Sequence, residues 1–85
     1  MEYVILVEGI NNELYQVEKI KYDSDNNISY ISFSHVYDNF FADALKFNEN
    51  NDLFDVVKTF LINYIINNKS YCRLKLNTIS IKYIS

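Results

Sequence analysis

The residues best suited to nucleophilic chemistry are one histidine and one cysteine. His35 and Cys72 are the only residues of their kinds, and they lie on different predicted strands. There they could meet as a pair in which the imidazole activates the thiol. No third residue is marked out to orient the imidazole, so we interpret Cys72 as a core residue and His35 as a polar residue at a strand end. A single cysteine also excludes an internal disulfide bond and a cysteine-based metal site.

A second candidate for chemistry is the start of a calcium-binding pattern. Asp23, Asp25 and Asn27 spell D-x-D-x-N, as an EF-hand loop begins. The pattern then fails, because Ile28 stands where the loop needs glycine and Ser34 stands where it needs a bidentate glutamate. The segment 23–27 is therefore predicted to be a polar hairpin turn. One glycine in the whole chain also excludes a phosphate-binding glycine loop, so we expect no enzyme activity, no cofactor and no metal.

Acidic residues are concentrated in the middle of the chain. Seven acids and one base lie between Asp23 and Asp55, whereas five bases and no acid lie between Val56 and Ser85. Such segregation favours long-range electrostatic steering. One hypothesis is that the acids imitate nucleic-acid phosphates and occupy the nucleic-acid site of another protein; the alternative is an ordinary solvated surface. The acids are Asp23, Asp25, Asp38, Asp43, Glu49, Asp52 and Asp55.

The basic end of the chain offers an alternative binding surface. An outer strand face there would carry one aromatic and three cationic residues, which is typical of a platform for nucleic acid. The net charge of −3 and the isoelectric point near 4.9 oppose this hypothesis, because affinity for phosphates comes from many neutralised charges. The residues are Tyr71, Arg73, Lys75 and Lys82.

The first part of the chain predicts three strands joined by turns. The apolar run Tyr3–Val7 is typical of a strand that is covered on both faces. Leu14–Tyr22 is a second strand whose alternation shifts by one residue, as a β-bulge near Glu18 or Lys19 would produce. Ile28–Tyr37 is a third strand. Together they predict an antiparallel meander.

Two helices are predicted after the meander. The spacing of apolar residues between positions 40 and 45 predicts a short helix within residues 38–47, with a loop as the alternative. A longer amphipathic helix is predicted to begin after a capping residue at 50–52 and to end near Asn67. Its apolar face consists of Leu53, Val57, Phe60, Leu61 and Tyr64, with Phe54 and Ile65 at the edge.

The side of the long helix that should face solvent carries an apolar pair. Ile62 and Ile66 are four residues apart and therefore neighbours on the helix surface. Surplus apolar surface commonly marks an interface. We predict that this pair contributes to a homodimer or partner contact, with cover by another segment as the alternative.

Residues 71–84 allow two interpretations. If Asn77 and Thr78 form a turn, the segment is a hairpin in which Leu74 pairs with Ile81 on the same face. Because threonine resists the positive φ of a type I′ turn, the competing interpretation is one long strand with a bulge at Asn77.

These elements predict a single α+β domain over residues 1–85. The predicted order is β-β-β-(short α)-α-β-β, with an antiparallel sheet of four or five strands and one main amphipathic helix packed on one face. The opening "MEYVILVEGI" lacks the basic region and cleavage site of a signal peptide. No apolar run reaches the roughly 20 residues of a membrane span. We expect a cytoplasmic protein of a bacterial host.

The "EYVILVEGINNELYQVEKI" strand pair and the "ADALKFNENNDLFDVVKTFLINYI" helical segment resemble small accessory proteins of phages and mobile elements in low-GC bacteria. These include inhibitors of the anti-CRISPR and anti-defence type. The resemblance implies a small, acidic, non-enzymatic protein that binds a host protein, such as a nuclease. No family motif is matched residue by residue, so no functional residue is carried over. The alternatives are a nucleic-acid-binding or regulatory protein that uses the basic strand face, and a structural homo-oligomer.

Overall fold

The computed structural model describes residues 1–50, 52–68 and 72–84, which form a five-stranded antiparallel sheet and one main helix. The predicted α+β class is confirmed. The strands are β1 (Glu2–Glu8), β2 (Leu14–Tyr22), β3 (Ile28–His35), β4 (Phe47–Asn48) and β5 (Ser80–Tyr83), and the helix, α1, is Leu53–Asn67.

The N-terminal strand β1 is the centre of the sheet. Along one edge it pairs with β2 through Leu6–Glu8 and with β4 through Glu2 and Tyr3. Along the other edge it pairs with β5 through Tyr3–Leu6. β3 pairs with β2 and extends the sheet on the side away from β1.

The side chains of β1 alternate between two apolar cores. Tyr3 and Ile5 point to the face covered by α1, which we call the helix face. Val4 and Leu6 point to the opposite face, where they contact Ala44 of the irregular segment 36–46; we call this the loop face. Both faces of β1 are covered, as its uninterrupted apolar run predicts.

The predicted bulge in β2 is confirmed. Val17 pairs with Phe33 and Lys19 pairs with Ser32, so Glu18 is an extra residue on β2. After the bulge the side chain of Ile20 packs with the helix-face core. The extra residue keeps apolar side chains on one face although their sequence parity changes.

The short helix predicted within residues 38–47 is wrong. Asp38 and Asn39 have φ of 55° and 56°, which a right-handed helix cannot accommodate. Lys46 Nζ instead donates hydrogen bonds to three carbonyl oxygens between residues 41 and 44. The apolar spacing that suggested a helix places Phe41 and Ala44 on the loop-face core.

The helix α1 begins within the predicted capping range, with Asp52 at the N-cap position, although no side-chain cap bond forms there. Its buried residues are Val57, Leu61 and Ile65. The burial predicted for Tyr64 is wrong, because Ile65 takes that place and Tyr64 is 46% exposed. Within the described ranges, no helix is both long and apolar enough to cross a membrane.

The hairpin interpretation of residues 71–84 is also wrong. Leu74 bridges Gly9, and β5 continues along the same edge of β1. Residues 74–84 thus make one pass along β1, interrupted by a single 3-10 turn at Leu76–Thr78, where the competing interpretation placed a bulge. Thr78 Oγ1 stabilises this turn because it accepts from the N–H of Glu8 at 2.9 Å and donates to the carbonyl of Lys75 at 2.8 Å.

Candidate functional site

A tight turn after β3 displays two aromatic rings. Asp38 and Asn39 both have positive φ, which a two-residue type I′ turn requires and which Asp and Asn tolerate. The turn is closed by a hydrogen bond from the N–H of Phe40 to the carbonyl of Tyr37 at 2.9 Å. Tyr37 and Phe40 therefore lie side by side across the turn. They are 70% and 71% exposed.

The aromatic row continues from this turn onto the sheet. The ring of His35 stacks on that of Tyr37 with centroids 5.5 Å apart, and it lies 4.5 Å from the ring of Tyr15 on β2. Tyr15 and His35 are directly paired across the two strands. We call the set Tyr15, His35, Tyr37 and Phe40 the aromatic ridge.

Val36, which lies between His35 and Tyr37 in the sequence, orients these two members of the ridge. Val36 packs in the loop-face core, and its N–H donates to the carbonyl of Leu14 at 2.9 Å. Because successive side chains of an extended chain point to opposite sides, anchoring Val36 turns His35 and Tyr37 to the other side. The ridge is thus held by the buried core beneath it.

At the inner end of the ridge, the surroundings shift the pKa of Tyr15. Burial raises the pKa of its phenol, and the nearby charge of Glu13 raises this pKa further, whereas Arg73 acts in the opposite sense. The hydroxyl donates to Glu13 Oε1 at 3.5 Å. Tyr15 therefore remains a neutral hydrogen-bond donor over the physiological pH range.

A cleft of about 540 Å³ adjoins the ridge on the helix face and shares Tyr15 with it. One wall is β3, which contributes five consecutive residues from Ser29 to Phe33. The opposite wall is α1, with Phe60, Leu61 and Tyr64, and the segment 72–74 closes one side. Because successive residues of a strand point to opposite faces, five in a row can line a cleft only if the strand backbone is exposed to it.

The seven acids are all exposed, but the structure does not assemble them into one array. Glu49, Asp52 and Asp55 lie around the start of α1, Asp23 and Asp25 lie on the β2–β3 turn, Asp38 lies on the ridge turn and Asp43 lies in the segment 36–46. β3 separates the β2–β3 turn from the ridge turn by about 26 Å, at ~3.3 Å per residue.

The acids around α1 affect two groups at the start of the chain, the N-terminal ammonium and the phenol of Tyr3. Glu49 Oε1 forms an ion pair with the N-terminal ammonium of Met1 at 3.2 Å. Burial raises the pKa of Tyr3, and the charges of Tyr83, Asp52 and Asp55 raise it further, whereas a backbone hydrogen bond from Phe54 lowers it. Glu49 is thus paired, whereas Asp52 and Asp55 place negative charge near the phenol of Tyr3.

The structure separates the predicted basic residues. Arg73 lies at the cleft on the helix face, whereas Lys82 pairs with Val4, whose side chain points to the loop face. Lys75 Nζ donates to Asn12 Oδ1. Tyr71 lies outside the described residues.

The predicted apolar pair on α1 is only partly covered. Ile62 is half-buried and Ile66 is 46% exposed. The pair adds apolar surface on the outer side of the helix, and its role as an interface stays a prediction.

The structure places the residues first considered for chemistry, His35, Cys72 and the segment 23–27, in three different features: the aromatic ridge, the cleft and a turn. The ring of His35 stacks on Tyr37 and lies tilted against Tyr15, and Cys72 lines the cleft. Within the described ranges, no three His, Cys, Asp or Glu residues are grouped to hold a metal ion. The predicted hairpin turn at 23–27 is confirmed, since Asp23 Oδ1 accepts from the N–H groups of Asp25 and Asn27 at 2.9 and 3.0 Å.

Sequence reasoning missed the aromatic ridge because its turn was assigned to a helix. The available signal was the tetrapeptide "YDNF", in which an Asp-Asn pair suited to a type I′ turn stands between two aromatics. Comparisons with protein-family models, with curated proteins and with solved structures find no match to this chain.

Proposed function

We propose that this protein acts by binding another protein, without catalysis, and that the aromatic ridge is its main contact surface. The observation that carries the proposal is the pair of rings, Tyr37 and Phe40, each more than two thirds exposed on a closed two-residue turn. Adjacent exposed apolar groups are characteristic of interaction sites. Tyrosine is also enriched among the residues that dominate binding energy.

The rigidity of the ridge favours tight binding. The type I′ turn and the stacking on His35 restrict Tyr37 before any partner arrives, so less side-chain entropy is lost on association. Asp38 lies on the turn between the two rings. The matching partner surface would combine an apolar pocket with a basic group beside it.

The test compares three forms of the tagged protein in a pull-down from nuclease-treated lysate of the native host. The wild type and a control variant, Tyr22→Ala/Ile10→Ala, should capture the same protein, because these control residues are exposed apolar residues outside the ridge. The Tyr37→Ala/Phe40→Ala variant should lose it, with at least a 10-fold weaker affinity for the purified partner. Equal capture by all three forms would contradict the ridge as the contact surface.

The finer proposal is that the partner is a host nuclease or another nucleic-acid enzyme, inhibited as by proteins of the anti-CRISPR type. It is supported by the resemblance and by the exposed acids, of which Glu49, Asp52 and Asp55 form the main group. Reversing Asp52 and Asp55 to lysine should abolish inhibition of the captured enzyme, whereas Asp43→Lys, in the segment 36–46, should leave it unchanged. Full inhibition by the Asp52→Lys/Asp55→Lys variant would contradict this finer proposal alone.

The basic strand face receives no comparable support. Arg73 and Lys82 point to different regions of the sheet, so few phosphates could be neutralised together. We therefore do not propose nucleic acid as the ligand.

A further inference from the structure

β3 is a sheet edge without the usual protection against pairing. Among the described residues, β3 pairs only with β2. Natural edge strands are generally protected by lysine, by proline, by a bulge or by being short. From Ile28 to His35 the sequence is ISYISFSH, eight residues with no acid, lysine, arginine or proline. By contrast β5, an outer strand on the other side of β1, has four residues and includes Lys82.

The cleft runs along this edge strand. Five consecutive residues of β3, Ser29–Phe33, line it together with aromatic side chains of α1. The regular part of β3 is Tyr30–His35, because the irregularity opposite Lys21 and Tyr22 falls at Ser29 and the bulge at Glu18 is on β2. An incoming strand would therefore meet a regular hydrogen-bonding edge beside an apolar wall.

We propose that the occupant of this edge is a second copy of the chain, whose β3 pairs antiparallel with the first about a two-fold axis. The absence of charged side chains makes β3 compatible with itself, since no like charges are brought together. A two-fold arrangement uses the same patch on both subunits. The inference goes beyond the proposed function and does not depend on it.

The alternation of side chains selects the register of this pairing. Residues that lie opposite each other in the pair must point to the same face of the sheet. In a two-fold pair this requires the axis to pass through a residue, so that one residue lies opposite its own copy. With Ser32 opposite the partner's Ser32, Ile31 lies opposite the partner's Phe33 on the helix face, and this apolar pair occurs twice. Tyr30 then lies opposite the partner's Ser34. Centring on Ile31 would instead set the irregular Ser29 against Phe33.

The helices do not prevent this dimer. Strands in a sheet lie about 4.8 Å apart, so the two β2 strands would be separated by about 14 Å. The core beneath α1 contains residues of β1, β2, β3 and β4, so the helix is centred inward of the β3 edge. Two helices so placed are farther apart than the about 8–10 Å of direct helix contact. The space between them would hold Phe60 and Tyr64. Tyr64 is 46% exposed in the single chain.

The first part of the test is the molar mass in solution by light scattering over a range of concentrations. The wild type should have twice the 10.1 kDa mass of the chain. Ser32→Lys should be monomeric, because two lysines would face each other at the axis, and Ser80→Lys on β5 should remain dimeric. A monomeric wild type, or a dimeric Ser32→Lys variant, would overturn the proposal.

The second part tests the register by disulfide formation in a Cys72→Ser background. Residues directly opposite in an antiparallel pair have Cα atoms about 4.5–5.5 Å apart, within the range of a disulfide bond. Ser32→Cys should cross-link to a covalent dimer under mild oxidation, and Ser80→Cys should not. A dimer that cross-links through Ser80→Cys, or that fails to cross-link through Ser32→Cys, would also overturn it.

Discussion

The backbone N–H of Leu45 donates a 2.9 Å hydrogen bond to the carbonyl oxygen of Val17. Val17 immediately precedes the bulge at Glu18, where β2 ceases to pair with β1. β4 then occupies the vacated edge of β1 through Glu2 and Tyr3. The bulge thus makes room for the segment after β3 to return to the central strand.

Deletion of Glu18 should preserve the pairing register of β2. Without the extra residue β2 alternates regularly, and Ile20 stays opposite Ile31 in the helix-face core. Deletion of Glu18 and Lys19 together would instead turn Ile20 to the opposite face and place Lys21 in the core. Burial of an unpaired charge together with loss of a core side chain should cost more than about 4 kcal/mol. We therefore expect a cooperative urea transition for the single deletion and none for the double deletion. Equal stability of the two deletion variants would contradict this register.

Two adjacent valines of α1 should respond differently to the same substitution. Val57 is fully buried and Val56 is 52% exposed. Val57→Ala should lower the free energy of unfolding by about 1.5–3 kcal/mol through lost apolar burial. Val56→Ala should be neutral or slightly stabilising, because alanine has the higher helix propensity. Urea denaturation followed by circular dichroism measures both, and similar losses would contradict the orientation of the helix.

The β2–β3 turn should depend on one aspartate and not on calcium. Asp23→Ala removes the acceptor of two backbone N–H groups and should cost about 1 kcal/mol of stability. Asp25→Ala leaves that acceptor in place and should have less than half this effect. Adding millimolar calcium should leave the melting temperature of the wild type unchanged. A calcium-dependent increase that Asp25→Ala abolishes would restore the metal-loop interpretation.

Stability should fall at alkaline pH through Tyr3. Burial raises its pKa above the ordinary tyrosine value of 10.0, so the folded state holds the phenolic proton more tightly than the unfolded chain does. This contribution is fully present below pH 10 and is lost as the pH rises through the raised pKa. Tyr3→Phe should make the decline of the urea midpoint above pH 10 shallower, whereas Tyr22→Phe at an exposed position should not. An unchanged slope in Tyr3→Phe would contradict this assignment.

The strands and the main helix could be predicted because their signals are local. The apolar run of β1, the parity shift at Glu18 and the periodicity of α1 each reflect burial along one element. The one error on the helix face is Tyr64, which the periodicity predicts to be buried. The helix is rotated by one residue relative to the prediction, so that Ile65 is buried in its place. Such a rotation depends on the neighbouring strands and not on the periodicity itself.

The segments between β3 and α1 and after α1 could not be predicted because long-range contacts decide them. The spacing of Phe41 and Ala44 suits a helix, yet these residues cover the loop face of a sheet that begins about 40 positions earlier. Leu74 and Ile81 suit a hairpin, yet both segments pair with the N-terminal strand. The candidate site was missed for the same reason, since its turn lies at the start of the first misassigned segment.

The pairing of β1 with β5 also has a consequence for biosynthesis. Leu6 and Ser80 are neighbours in the sheet but 74 positions apart in the chain. At about 5–20 residues per second, the ribosome delivers β5 roughly 4–15 s after β1. The most apolar strand of the protein therefore emerges first and waits longest for its second neighbour. Nascent chains should need chaperone protection during this interval, and slower translation of the later codons should lower the yield of native protein.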